Sequence, residues 1–75
     1  MVAKSAYVET LAAQKLRAAE IAMRAAAVAM NYVGTEEATM HAKELLGAAK
    51  MVQRWELALR RIAAEGADQQ EARNP

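Results

Sequence analysis

Two stretches of the chain repeat apolar residues at alternating steps of three and four, the spacing of a helix that buries one stripe. In the second stretch Ala38, His41, Leu45, Ala48, Val52, Trp55, Leu59 and Ile62 keep that rhythm, and only the histidine is polar. Glu36, Lys43, Lys50, Arg54, Arg61 and Glu65 lie opposite, so this helix reads as amphipathic. The first stretch carries two neighbouring apolar stripes. One is Ala12, Leu16, Ala19, Met23, Ala26, Met30 and Val33; the other is Tyr7, Leu11, Ala18, Ile21, Ala25, Val28 and Tyr32, interrupted by Gln14. They leave Glu9, Arg17, Glu20, Arg24 and Asn31 on a narrow polar sector. A single neighbouring helix is too narrow to cover both stripes.

One strong break divides the two stretches. Gly34 has the freedom to adopt the left-handed conformation that closes a helix, and Thr35 offers a hydroxyl to the amides of the next one. Glu36 and Glu37 stand where a helix N-terminus favours negative charge. The expected elements are a helix over 5–32 capped by Ser5, a turn over 33–35, and a helix over 36–65 stopped by Gly66. Residues 1–66 then form one helical-hairpin domain, and 67–75 are expected to be a disordered tail. With so short a connection the helices must lie antiparallel.

Counting outward from the turn gives an expected seam between the helices: Val8, Ala12, Leu16, Ala19, Met23 and Ala26 against Leu45, Ala48, Val52, Trp55, Leu59 and Ile62. Large side chains oppose small ones in it, with Trp55 beside Ala12, His41 beside Ala26 and Val52 against Leu16. The second stripe of the first helix, Tyr7, Leu11, Ala18, Ile21, Ala25, Val28 and Tyr32, is left for an interface between two hairpins, with Leu46 and Leu57 on the flank of the second helix. The expected architecture is all-α: an antiparallel hairpin that homodimerises into a four-helix bundle, with a tetramer as the alternative.

Composition supports self-association for a separate reason. Hydrophobic residues are 55% of the 75, but twenty of them are alanines, which favour helix while burying little area. A domain this small has a marginal core, and with no cysteine it has neither disulfides nor thiolate zinc sites to reinforce it. The longest uncharged run, 25–35, is too short for a membrane span, and the N-terminus lacks the pattern of a signal peptide. The expected location is cytoplasmic, with no membrane contact.

Little in the sequence offers chemistry. His41, with Glu37 and Glu44 within one turn on either side, is the one metal candidate; a structural or interfacial histidine is the simpler reading. The spacings Glu20 to Arg24, Glu56 to Arg60 and Glu37 to His41 suit ion pairs on a helix surface. Met23, Met30, Met40 and Met51 suit core packing better than an adaptable groove, and Tyr7, Tyr32 and Trp55 suit anchors with polar atoms at the bundle edge. No hydroxyl or amine is set against a base, and no glycine-rich phosphate loop is present, so no catalytic residue and no cofactor is expected.

Lys43, Lys50, Arg54 and Arg61 form a basic stripe that could meet phosphates, although the net charge is only +1 and no aromatic residue interleaves them. In helix count and length the hairpin resembles Rop-like RNA-binding dimers. That resemblance implies a nucleic-acid-binding regulator as the alternative function. The leading expectation is a small non-enzymatic protein that associates with itself and acts on another protein, as adaptor, regulator, inhibitor or chaperone.

Overall fold

The computed structural model describes the backbone of residues 2–73 and the side chains of residues 7–66. Two helices, α1 (Val2–Val33) and α2 (Glu36–Arg73), pack along one another as a hairpin measuring 61 × 14 × 11 Å over its Cα atoms. No helix among the described residues is long and apolar enough to cross a membrane.

The turn is made by local chemistry. Gly34 has φ of +85°, in the left-handed region that side-chain-bearing residues avoid, and it is the one described glycine to do so. Thr35 then starts α2: its Oγ1 accepts a hydrogen bond from the Ala38 amide at 3.1 Å, and its carbonyl accepts one from the Thr39 amide at 3.0 Å. Glu36 and Glu37 fill the first turn beside the positive end of the helix dipole.

Both helices extend beyond the expected bounds. α1 begins at Val2 and takes Ser5 into its first turns instead of using it as a cap. α2 passes through Gly66 and continues to Arg73. An interior glycine costs a helix only about 1 kcal/mol, and Ala63, Ala64, Ala67, Gln69, Gln70 and Ala72 around it are good helix formers. Thus most of the stretch expected to be a disordered tail belongs to α2. Asn74, Pro75 and the side chains of 67–75 lie outside the described residues.

The seam differs from the expected one by a rotation of one residue. Its closed rows are Ala13, Glu20 and Ala27 on α1 and Ala42, Ala49 and Glu56 on α2, all buried and spaced by sevens. Counting equally from the Gly34–Thr35 bond puts Ala27 level with Ala42, Glu20 with Ala49 and Ala13 with Glu56, so alanine stands at every level and the backbones can approach closely. Next to these rows run Leu16, Met23 and Met30 on α1 and Leu45, Val52 and Leu59 on α2, of which Val52 is buried and the others half-buried.

Several residues expected in the seam are therefore outside it. Val8, Ala19, Ala26, Ala48, Trp55 and Ile62 are exposed, Val8 to 55% and Trp55 to 53%, and Ala12 is only half-buried. At two positions the expected row follows the larger apolar neighbour, Trp55 over Glu56 and Ile62 over Ala63, whereas Ala26 against Ala27 and Ala48 against Ala49 offer identical residues. Close approach of two helices needs a small residue at each level of the seam, which the alanines of the closed rows supply.

Candidate interaction surface

A hairpin of two helices has two broad faces and two outer edges, and here they differ sharply in chemistry. Residues three and four apart share a face, so Thr10, Arg17, Arg24 and Asn31 stand beside the closed row of α1, while Thr39, Leu46, Gln53 and Arg60 stand beside that of α2. In an antiparallel pair these rows share one broad face. That face is polar.

Its two carboxylates reach into the seam. Arg24 Nε donates to Glu20 Oε2 at 2.8 Å, and Arg60 Nε donates to Glu56 Oε2 at 3.0 Å. The glutamate side chains are only 11% and 5% exposed, against 40% and 41% for the arginines, so each guanidinium lies over its carboxylate from the solvent side. Among the described residues no buried side-chain nitrogen or oxygen lacks a hydrogen-bond partner. The i,i+4 spacing identified both pairs in the sequence, but as surface pairs. The signal of burial was that each glutamate sits seven residues from a seam alanine.

The opposite broad face is apolar. It carries the half-buried rows Leu16, Met23, Met30 and Leu45, Leu59, flanked by Ala12, Ala19, Ala26 and Val33 on α1 and by His41, Ala48, Trp55 and Ile62 on α2. Leu16, Met23, Leu45 and Leu59 with Ala12, Ala19, Ala26, Ala48, Trp55 and Ile62 are residues expected in the intrachain seam, and His41 is the polar residue among the rows named.

The residues expected at the interface between hairpins run from the rim of the polar face, where Tyr7, Ile21 and Val28 stand three or four residues from Thr10, Arg17 and Arg24, round to the outer edge of α1 with Leu11, Ala18, Ala25 and Tyr32. Tyr7, Leu11, Ile21, Val28 and Tyr32 are exposed, as are Ala18 and Ala25; Leu57 is exposed on α2, and Leu46 is half-buried on the polar face. The outer edge of α2 is charged instead. Lys43, Lys50, Arg54 and Arg61 are all exposed there, and Arg61 Nε lies 3.7 Å from Glu65 Oε1.

At the turn end, His41 lies between two carboxylates of its own helix. Its Nδ1 is 2.9 Å from Glu44 Oε1 and its Nε2 is 3.6 Å from Glu37 Oε1. The carboxylates engage opposite edges of the ring, so the three side chains do not converge on one point. Among the described residues no set of three acidic, histidine or cysteine side chains is grouped to hold a metal ion. A shallow hollow nearby, lined by Gly34, Thr35, Glu36, Glu37, Thr39, Met40 and Lys43, sets no nucleophile against a base. No protein-family model, no curated protein and no solved structure matches this chain.

Proposed function

We propose that the chain is a self-associating helical hairpin, that a second copy completes a four-helix bundle, and that the assembly works by binding another protein as an adaptor, regulator, inhibitor or chaperone. The observation behind this reading is what the isolated hairpin leaves uncovered. Among the described residues its buried apolar set is Ala13, Ala27, Ala42, Ala49 and Val52. Trp55 and Ile62 remain exposed along the apolar broad face, beside the half-buried Leu16, Met23, Met30, Leu45 and Leu59. Four alanines and a valine are a small buried apolar set for helices of 32 and 38 residues. A second hairpin supplies the missing burial.

Circular dichroism melts at increasing protein concentration test this. Folding coupled to assembly raises Tm by several degrees for each tenfold rise in concentration. A cooperative helical melt whose midpoint ignores concentration down to low micromolar defeats the proposal.

A nucleic-acid-binding role has one observation in its favour: Lys43, Lys50, Arg54 and Arg61 share one exposed edge of α2. Against it, Arg61 is paired with Glu65, and the net charge is only +1. Helix surfaces of mixed charge account for the same pattern.

A further inference from the structure

The apolar broad face has a shape as well as a chemistry. By residue size its α2 side is a ridge of Trp55 and Ile62, 53% and 42% exposed, interrupted by Ala48, and its α1 side is a furrow along Ala12, Ala19 and Ala26 that ends at Val33. A ridge and a furrow side by side on one surface fit a second copy of that surface, provided the symmetry axis exchanges them.

Two twofold arrangements bring such faces together. With the axis along the helices, both turns lie at the same end and α2 of each copy crosses onto α1 of the other. With the axis across the helices, the turns lie at opposite ends, α1 meets α1 and α2 meets α2. Only the first lays ridge in furrow; the second sets the two α2 ridges against each other and leaves the alanine furrows facing each other across a gap. Counted from the turn, Trp55 stands within one helical turn of the level of Ala12, and His41 within one turn of Ala26, so in the first arrangement each large side chain finds an alanine of its partner.

The area is sufficient. From Ala12 to Val33 the face runs roughly 30 Å along the axis and spans about 20 Å across two helices. That footprint of roughly 600 Å² is of the order of the ~800 Å² per partner of a standard interface.

Resting on the self-association proposed above, we infer that the occupant of this face is a second copy of the chain, bound with both turns at the same end. This arrangement leaves Tyr7, Ile21 and Val28 at the rim of the polar face, and Tyr32 on the outer edge of α1, uncovered on the finished dimer.

The chain has no cysteine, so Glu36→Cys in the full-length protein places one nitroxide beside each turn, and pulsed dipolar spectroscopy reads their separation. Diagonal helices of a bundle lie roughly 14 Å apart, so the turns-together dimer gives a distance below about 30 Å, whereas turns at opposite ends give roughly 40 Å. A dimer with the longer distance overturns the inference but leaves self-association standing. A chain that sediments as a monomer overturns both. As an independent check of the furrow, Ala19→Trp is expected to weaken dimerisation at least tenfold, measured where both proteins are helical at the highest concentration; an unaltered dissociation constant contradicts it.

Discussion

Arg60 holds the carboxylate of Glu56 at 3.0 Å inside the helix seam, at the level where α1 presents Ala13. Glu20 and Arg24 repeat the arrangement on α1, where α2 presents Ala49. A glutamate fits between closely approaching helices only because the facing residue is a methyl group and because its charge is answered one turn away.

Variants of these pairs separate the cost of an unpaired carboxylate from the net worth of the pair. Arg60→Ala leaves a nearly buried carboxylate without its partner and is expected to lower stability by about 1–2 kcal/mol, reduced from the fully buried case because the guanidinium is partly solvated. Glu56→Met removes the charge and fills the space, and is expected to be neutral or stabilising. Urea melts of the two variants check the order; greater loss from Glu56→Met would contradict it.

The glycines predict opposite signs for the same substitution. Gly34→Ala meets no neighbouring atom, so its expected cost of about 1–2 kcal/mol comes from the left-handed backbone alone. Gly47→Ala also meets open space, but within α2 and without a positive φ, and is expected to stabilise by about 0.5–1 kcal/mol. Thermal melts of both variants decide the matter, and a stabilising Gly34→Ala would show that the turn is built differently.

Placement of the seam is tested by a leucine introduced on either side of one alanine row. Ala27 is 1% exposed, so Ala27→Leu forces the helices apart and is expected to cost about 1–3 kcal/mol or more. Ala29 is exposed, and Ala29→Leu is expected to change hairpin stability by less than about 0.5 kcal/mol. Equal losses from the two would place the seam elsewhere.

How far the sequence carries can be seen along this same row. Both helices and the turn follow from Gly34, Thr35 and the acidic pair after them, whose effects are local. Leu16, Met23, Leu45, Val52 and Leu59 border the contact in either register, so large apolar residues locate it to within one residue. The last step was hidden because alanine reads as apolar in every row, so nothing in residue type separates Ala26 from Ala27 or Ala48 from Ala49. Glu20 and Glu56 misled for a physical reason: a charged residue signals solvent until its arginine and its facing alanine are counted with it. The end of α2 was obscured by Gly66, whose backbone preference is weak enough for flanking helix formers to override.

The exposed basic edge allows a direct test of the nucleic-acid alternative. With its charges balanced across the molecule, the chain is expected to give no mobility shift with RNA or DNA at low salt. A shift that Lys50→Glu with Arg54→Glu abolishes, at unchanged helicity, would favour the Rop-like reading.

The central claim is that the surface left by an alanine-built seam is covered by another copy of the chain. Sedimentation equilibrium of the full-length protein at micromolar concentration reads this most directly. A mass near twice the 8.1 kDa of one chain, or a higher even multiple, is expected. A folded helical species sedimenting at 8.1 kDa across that range, with Trp55 still fluorescing as a water-exposed indole, would contradict it.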